Sequence, residues 1–192
     1  MTKRNPGLAR IANDAYYTPP EAIAPLLPYL SSGTPFIEPC AGDGRLARYL
    51  NQHGHRCVWA CDIAPEHEDI ERMNALDIDP ERIKSLGADC FVTNPSWGRV
   101  TLHALIHFLP TMLPTWLLFD SDWLFTNMAA QHGQHLAKVV AIGRIKWIQG
   151  SAHTGFDNCM WALFDQQHRG QPRFYFKQPN GAQMQLKLET TP

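Results

Sequence analysis

The sequence is poor in the features that mark several large protein classes. Its 192 residues include five cysteines, with no C-x-x-C pair among them. That speaks against a disulfide framework or a zinc site, and for small buried thiols in a reducing cytoplasm. A long apolar run is also missing: LPTMLPTWLLF at 109–119 is interrupted by two prolines and followed by Asp120, so no membrane-spanning helix is expected. The N-terminal MTKRNPGLAR carries charge with no apolar stretch behind it, unlike a secretory signal, and a cytoplasmic location is expected. H-E-x-x-H is absent. His103 and His107 are spaced for one helix face and read as a surface pair, with no metal expected. No repeat, low-complexity run or linker divides the chain, so residues 1–192 are expected to form a single domain.

Charge is scarce as well, at 18% of residues with a formal net charge of −1, which excludes a uniformly basic nucleic-acid coat. The distribution is uneven. Residues 1–130 hold 10 Lys+Arg against 15 Asp+Glu, whereas residues 131–192 hold 7 against 3. An anionic partner engaged on one side would suit that asymmetry, and so would ordinary solvated surface.

Hydrophobic patterning supplies the architecture. FIEP (36–39), CVWACDI (57–63), CFVTN (90–94), TWLLFD (115–120), KVVAIGRIKWI (138–148) and NCMWALFD (158–165) read as strands, and RFYFK (173–177) extends the sheet. Helical spacing appears in PPEAIAPLLPYL (19–30), RLARYLNQHG (45–54), ERIKSLG (81–87), TLHALIHFL (101–109) and roughly 123–137. Strands separated by helices predict an α/β, doubly wound, mostly parallel sheet, with an antiparallel strand near the C-terminus where no helix intervenes. A ligand then belongs beyond the carboxyl ends of the strands, where the strand order reverses.

Every distinctive motif sits at such an end. EPCAGDG (38–44) follows the first strand, and Gly42 and Gly44 permit a sharp turn and close backbone approach to a ligand. It is neither G-x-G-x-x-G nor a P-loop with its lysine, which lowers the dinucleotide and phosphate readings. Asp62 ends the second strand, placed to accept two ribose hydroxyls. Asp77 precedes the third clear strand, where it can accept from an adenine amine, and Glu38 can face a cationic ligand group. Taken singly, each acid is equally a loop cap. NPSW (94–97) follows the strand CFVTN.

In this order the motifs resemble class I S-adenosylmethionine-dependent methyltransferases, a Rossmann-like family with a seven-stranded sheet. The likeness is to amino-methyltransferases carrying [DNS]-P-P-[YFW], and especially to small phage-type adenine-N6 DNA methyltransferases, which pair a Y-T-P-P start with an E-P-x-x-G-D-G turn. It spans roughly residues 13–165. NDAYYTPPEAI (13–23) is similar to the segment these enzymes place before the first strand, and makes 1–30 a cofactor-closing segment. The resemblance implies S-adenosylmethionine as cofactor, bordered at its methionine end by Tyr17, Thr18, Pro19, Glu38, Cys40, Ala41 and Gly42. It puts the ribose on Asp62 and the adenine against Ile63 and Asp77. Asn94, Pro95, Ser96 and Trp97 form the catalytic corner, with Asn94 also beside the cofactor and Ser96 standing where the family has a second proline.

The target of such enzymes is a planar exocyclic amine whose lone pair is delocalised into a ring. Carbonyls of Asn94 (side chain) and Pro95 (main chain) would accept its two hydrogens, favouring a pyramidal nitrogen as the N–C bond forms. Trp97 would stack on the base, and a base in duplex DNA would be flipped out. GRIKWIQGSAHTGFDN (143–158) mixes Arg144 and Lys146 with Trp147 and Phe156, a pattern suited to a flipped base and its phosphates. The expected partner is nucleic acid, namely DNA. No target-recognition domain of the usual size fits, so sequence selectivity is expected to be low or supplied by a separate specificity subunit. RNA adenine, cytosine N4 and a protein glutamine are alternative acceptors, and a non-catalytic cofactor-binding subunit is a further reading.

Overall fold

The computed structural model describes residues 17–147 and 154–177. Residues 13–16 of the N-terminal segment and 148–153 of the basic-aromatic segment lie outside the described residues.

Eight strands form one sheet: β1 (Pro35–Glu38), β2 (Arg56–Asp62), β3 (Glu71–Arg72), β4 (Cys90–Thr93), β5 (Thr115–Asp120), β6 (Leu136–Arg144), β7 (Asn158–Phe164) and β8 (Arg173–Tyr175). Their order is β3-β2-β1-β4-β5-β7-β6-β8. All neighbours are parallel except β7, which runs antiparallel to both β5 and β6. The central strands β4 and β5 are buried almost throughout, as expected of parallel strands covered on both faces.

The helices are α1 (Pro20–Ile23), α2 (Arg45–Gln52), α3 (Pro80–Leu86), α4 (Arg99–Phe108) and α5 (Asn127–His132). On one face of the sheet, Leu46 and Leu50 of α2 and Ile23 of α1 pack on Phe36, Val92 and Trp116. On the other, Ile83 of α3 and Leu102 and Leu105 of α4 cover Ile37, Phe91 and Leu117. Local chemistry sets the ends. Asp79 accepts from Glu81 N to cap α3, Pro80 occupies its first turn, and Gly87 in the left-handed region (φ 62°) stops it. Among the described residues no helix is long and apolar enough to cross a membrane.

The doubly wound, mostly parallel sheet agrees with the sequence reading, with two differences. The sheet has eight strands rather than seven, because β3 pairs with the end of β2, while the expected RFYFK strand is β8 beside β6. The two-residue β3 has no hydrophobic alternation to announce it. The helix expected over 123–137 is a 3₁₀ turn (Ser121–Phe125) followed by α5, since Thr126 caps a new helix by accepting from Met128 N. In consequence β6 begins at Leu136 and ends at Arg144.

Candidate functional site

Glu38, Asp62, Thr93 and Asp120 end β1, β2, β4 and β5, and the loops leaving these parallel strands share one edge of the sheet. The strand order reverses between β1 and β4, so the glycine turn after β1 and the NPSW corner after β4 flank the crevice. Thr93 Oγ1 donates to Cys40 O at 3.4 Å, linking the two loops at their base.

The turn is shaped by its glycines. Gly42 and Gly44 adopt φ of 54° and 76°, where a side chain is disfavoured. At Gly44 a Cβ would also lie 3.0 Å from Arg48 Nη1 and 3.2 Å from Ile70 Cδ1. Gly44 N donates to Ala41 O at 2.7 Å, and Ala41 N to Cys61 O at 3.0 Å, which pins the turn to β2. Asp62 completes the join: Oδ2 accepts from Gly42 N at 2.8 Å and Oδ1 from Ala64 N at 2.7 Å. Each oxygen keeps a further lone pair for a hydroxyl. Ile63 follows with 65% of its surface exposed, an apolar plate beside an anchored carboxylate. Asp77 is exposed in the 3₁₀ turn Ala75–Asp77, capped by Asn74.

Glu38 departs from expectation. It is 2% exposed, and its Oε2 accepts from Ala47 N in the first turn of α2 at 2.9 Å. The carboxylate is drawn inward by the orphan N–H groups of a helix start, so it holds α2 and the turn rather than facing a ligand. Burial pushes its pKa well up. Cys40 is likewise raised by burial.

The N-terminal segment reaches across the crevice. The Tyr17 ring lies 3.9 Å from where a Cβ of Gly42 would stand, with the Arg45 guanidinium 5.2 Å from the ring centre. Its hydroxyl donates to Glu66 Oε1, and that bond, with burial and the Glu66 charge adding to it, raises its pKa to about 12. Glu66 N in turn donates to Gly42 O at 3.0 Å. Thr18 is buried and its Oγ1 accepts from Asn94 Nδ2 at 3.1 Å. Pro19 is buried ahead of α1, and the indole of Trp161 on β7 donates to Ala22 O at 2.8 Å.

At the corner, Trp97 Nε1 divides its hydrogen between Asn94 Oδ1 (3.2 Å) and Leu118 O (3.1 Å). The indole is half-buried and tethered on its N–H edge. Pro95 is buried. Ser96 Oγ accepts from Gly98 N at 3.4 Å, a local bond where a second proline would restrain the loop covalently.

The late basic-aromatic segment meets this corner. Trp147 packs edge-on against Trp97 with centroids 5.5 Å apart. Gly155 lets the chain return beneath Trp147: its N donates to Ile145 O at 2.7 Å, and a Cβ there would approach Trp147 Cδ1 to 3.0 Å. Arg144 and Lys146 are exposed, and Phe156 is 66% exposed.

Sequence reasoning missed a cleft of about 190 Å³ on the other side of Trp97, bounded by Arg99, His103, Asp120, Asp122 and Trp123. These residues come from α4 and the turn after β5, and only Asp120 at its strand end signalled the place. It also missed the clustering of His103 and His107 with His132 of α5. His103 stacks on His132 at 4.1 Å, and His107 Nε2 lies 2.6 Å from His132 Nδ1. Among the described residues no group of three or more His, Cys, Asp or Glu is arranged to hold a metal ion.

No protein-family model and no curated protein matches the sequence. Solved structures do. One is the modification subunit of a putative type I restriction enzyme from Vibrio vulnificus YJ016 (TM-score 0.54, 12% identity, 87% of this chain and 48% of that one). A second is the methyltransferase subunit of a type I restriction-modification system from Streptococcus thermophilus (TM-score 0.50, 10% identity, 83% and 46%). A third is a chain from a structure of type I restriction-modification complex assembly (TM-score 0.53, 14% identity, 91% and 47%). The chain shares the fold of these three structures. It spans about half the length of the three chains it matches. In this fold the glycine turn, the acid ending β2 and the corner after β4 occupy the strand ends around the reversal point.

Proposed function

We propose that the chain is an S-adenosylmethionine-dependent methyltransferase that modifies the exocyclic amine of a nucleobase, adenine N6 in DNA. The observation that carries this reading is the Tyr17–Thr18 dipeptide, which joins the two halves of one crevice. Tyr17 lies over Gly42, and Thr18 holds the amide nitrogen of Asn94 at 3.1 Å. The residues present fit the cofactor. An exposed Ile63 beside the anchored Asp62 suits an adenine ring and a ribose, and the open backbone of Cys40–Gly42 with Tyr17, Thr18 and Pro19 suits the methionine end. Asp77 stands within the same row of loops, and Glu38 supports the turn from below. The cofactor, when bound, supplies an activated methyl group on sulfur.

The chain's own task is to position and polarise the acceptor. Thr18 orients the Asn94 amide so that its nitrogen is spent on a protein partner and its oxygen is left for the substrate. Trp97 now donates to that oxygen, yet its hydrogen is shared with Leu118 O, so Asn94 Oδ1 can turn to an amine without orphaning the indole. The Pro95 carbonyl accepts the second amine hydrogen. Withdrawing both hydrogens toward acceptors localises the nitrogen lone pair, and the proton becomes acidic only as the new bond forms, so no strong base is required. Trp97 and Trp147 offer aromatic edges and faces to the base, with Arg144, Lys146 and Phe156 around them.

Radiolabelled methyl transfer to DNA, RNA and protein, followed by nucleoside digestion, tests the proposal. The expected product is N6-methyladenine, and N4-methylcytosine or methylglutamine would replace the substrate assignment. Asn94→Ala should lower transfer by at least about 100-fold with cofactor affinity nearly intact; near-wild-type turnover would refute the role. Two observations favour a second reading, a cofactor-binding subunit without catalysis: Ser96 replaces the second proline, and Asn94 Oδ1 already has a protein donor. Cofactor binding without transfer to any of the three substrates would establish it.

A further inference from the structure

The proposed activity leaves one exposed feature unused. Among the described residues β8 is the last strand in the order β7-β6-β8; it carries Phe174, with Phe176 just past its end, and 55% and 83% of their surfaces are exposed. In the register Val139↔Phe174 and Val140↔Tyr175, Phe174 shares the face of Val139. Tyr175 turns to the other face and packs on Tyr29 at 4.6 Å between centroids. Arg173, paired with Lys138, lies on the Tyr175 face. The edge therefore brings exposed phenylalanines and cations, Phe174 and Phe176 with Arg173 and Lys177, into one short stretch.

The strand leads somewhere. β8 runs parallel to β6, toward the carboxyl edge where the NPSW corner stands. Gly143, at φ 86°, lacks the Cβ that would lie 3.1 Å from Lys177 Nζ, so the glycine admits the lysine stem across β6. Arg144 follows Gly143 in sequence, and the chain continues through Lys146 to Trp147, which meets Trp97 edge-on. Arg173 to Lys177 covers about 13 Å. Exposed rings with adjacent cations are what unpaired bases and their phosphates require: each base stacks on an aromatic face and each phosphate meets a cation. A duplex, with its bases already stacked inside, has no use for the two phenylalanines. The charge asymmetry of the chain agrees, since residues 131–192 hold 7 Lys+Arg against 3 Asp+Glu.

We infer that the β8 edge, through Phe174, Phe176, Arg173 and Lys177, binds single-stranded nucleic acid and leads it along the end of β6 to the Trp97–Trp147 corner. This deepens the proposed function and rests on its reading of nucleic acid as substrate.

Fluorescence anisotropy of the full chain with a labelled oligothymidine, an oligouridine and a DNA duplex tests it without any methyl transfer. Oligothymidine or oligouridine should bind more tightly than duplex, and the preferred one of the two identifies the source of the strand. Phe174→Ala/Phe176→Ala should weaken single-strand binding by about 10-fold or more. Arg173→Glu/Lys177→Glu should weaken it further and flatten its dependence on log salt by more than about one. Phe125→Ser, an exposed phenylalanine outside the tract, serves as control and should change nothing. Thermal melts confirm that each variant folds. Wild-type single-strand affinity in both double variants, or a duplex preference, would overturn the inference. If oligonucleotide binding follows these variants while no nucleic acid is methylated, the tract stands and the proposed reaction fails; if DNA is methylated and both variants bind and turn over normally, the reverse holds.

Discussion

Asp62 accepts backbone N–H groups from two loops at once, Gly42 and Ala64, so it shapes the proposed cofactor pocket by itself. Asp62→Ala leaves both donors without that acceptor, at about 1–3 kcal/mol for each that stays dry. Calorimetry should show cofactor affinity reduced by at least tenfold, with a lowered melting temperature; unchanged affinity would contradict the assignment. Glu38 supports a pH prediction. Its carboxyl is raised above the ordinary 4.5 by burial, so the folded state holds the proton more tightly than the unfolded chain. The protonated form's contribution is complete below about 4.5 and is lost as pH rises through the raised folded value. Urea melts across that range should show wild type losing stability with rising pH relative to Glu38→Gln, which can still accept from Ala47 N and has no charge to bury. At this scale the sequence was informative about which residues matter, because EPCAGDG and NPSW are contiguous. It was uninformative about where Glu38 points: strand alternation at a terminus does not say whether a carboxylate meets a ligand or the neighbouring helix start.

The α4–α5 pair shows how elements create features that spacing hides. His103 and His107 do lie on one face of α4, but the face is covered by His132 of α5, and Trp123 Nε1 donates to His103 Nε2 at 3.1 Å. A proton on that nitrogen would remove the acceptor, and burial, with His132, His107 and Arg99 adding to it, lowers the His103 pKa below 6.5. Because the folded value is depressed, the neutral form's contribution is present above pH 6.5 and lost as pH falls through the folded value. Hydrogen exchange should therefore report loosening of α5 against α4 in mildly acidic solution, and His132→Gln should reduce that dependence; pH-independent exchange would show that the cluster is inert. The helix expected over 123–137 fails for a local reason: Thr126 is a better cap than a helix interior residue, and it divides the stretch in two. β3 was invisible because two residues cannot display a period, and its pairing to Cys61 and Asp62 is a tertiary fact.

Across the whole molecule, the hydrophobic pattern of the chain was sufficient to specify alternating strands and helices, a mostly parallel sheet and motifs at the strand ends. Those features are local: period, glycine and proline placement, and burial on both faces are all written within short windows. The tertiary structure alone decided that β7 inserts antiparallel between β5 and β6, that Thr18 reaches Asn94 across 76 positions of sequence, that Trp147 meets Trp97, and that β8 joins the sheet beside β6. Each is a contact between segments distant in the chain. Their free energy depends on how whole layers pack, and no single stretch of residues carries it.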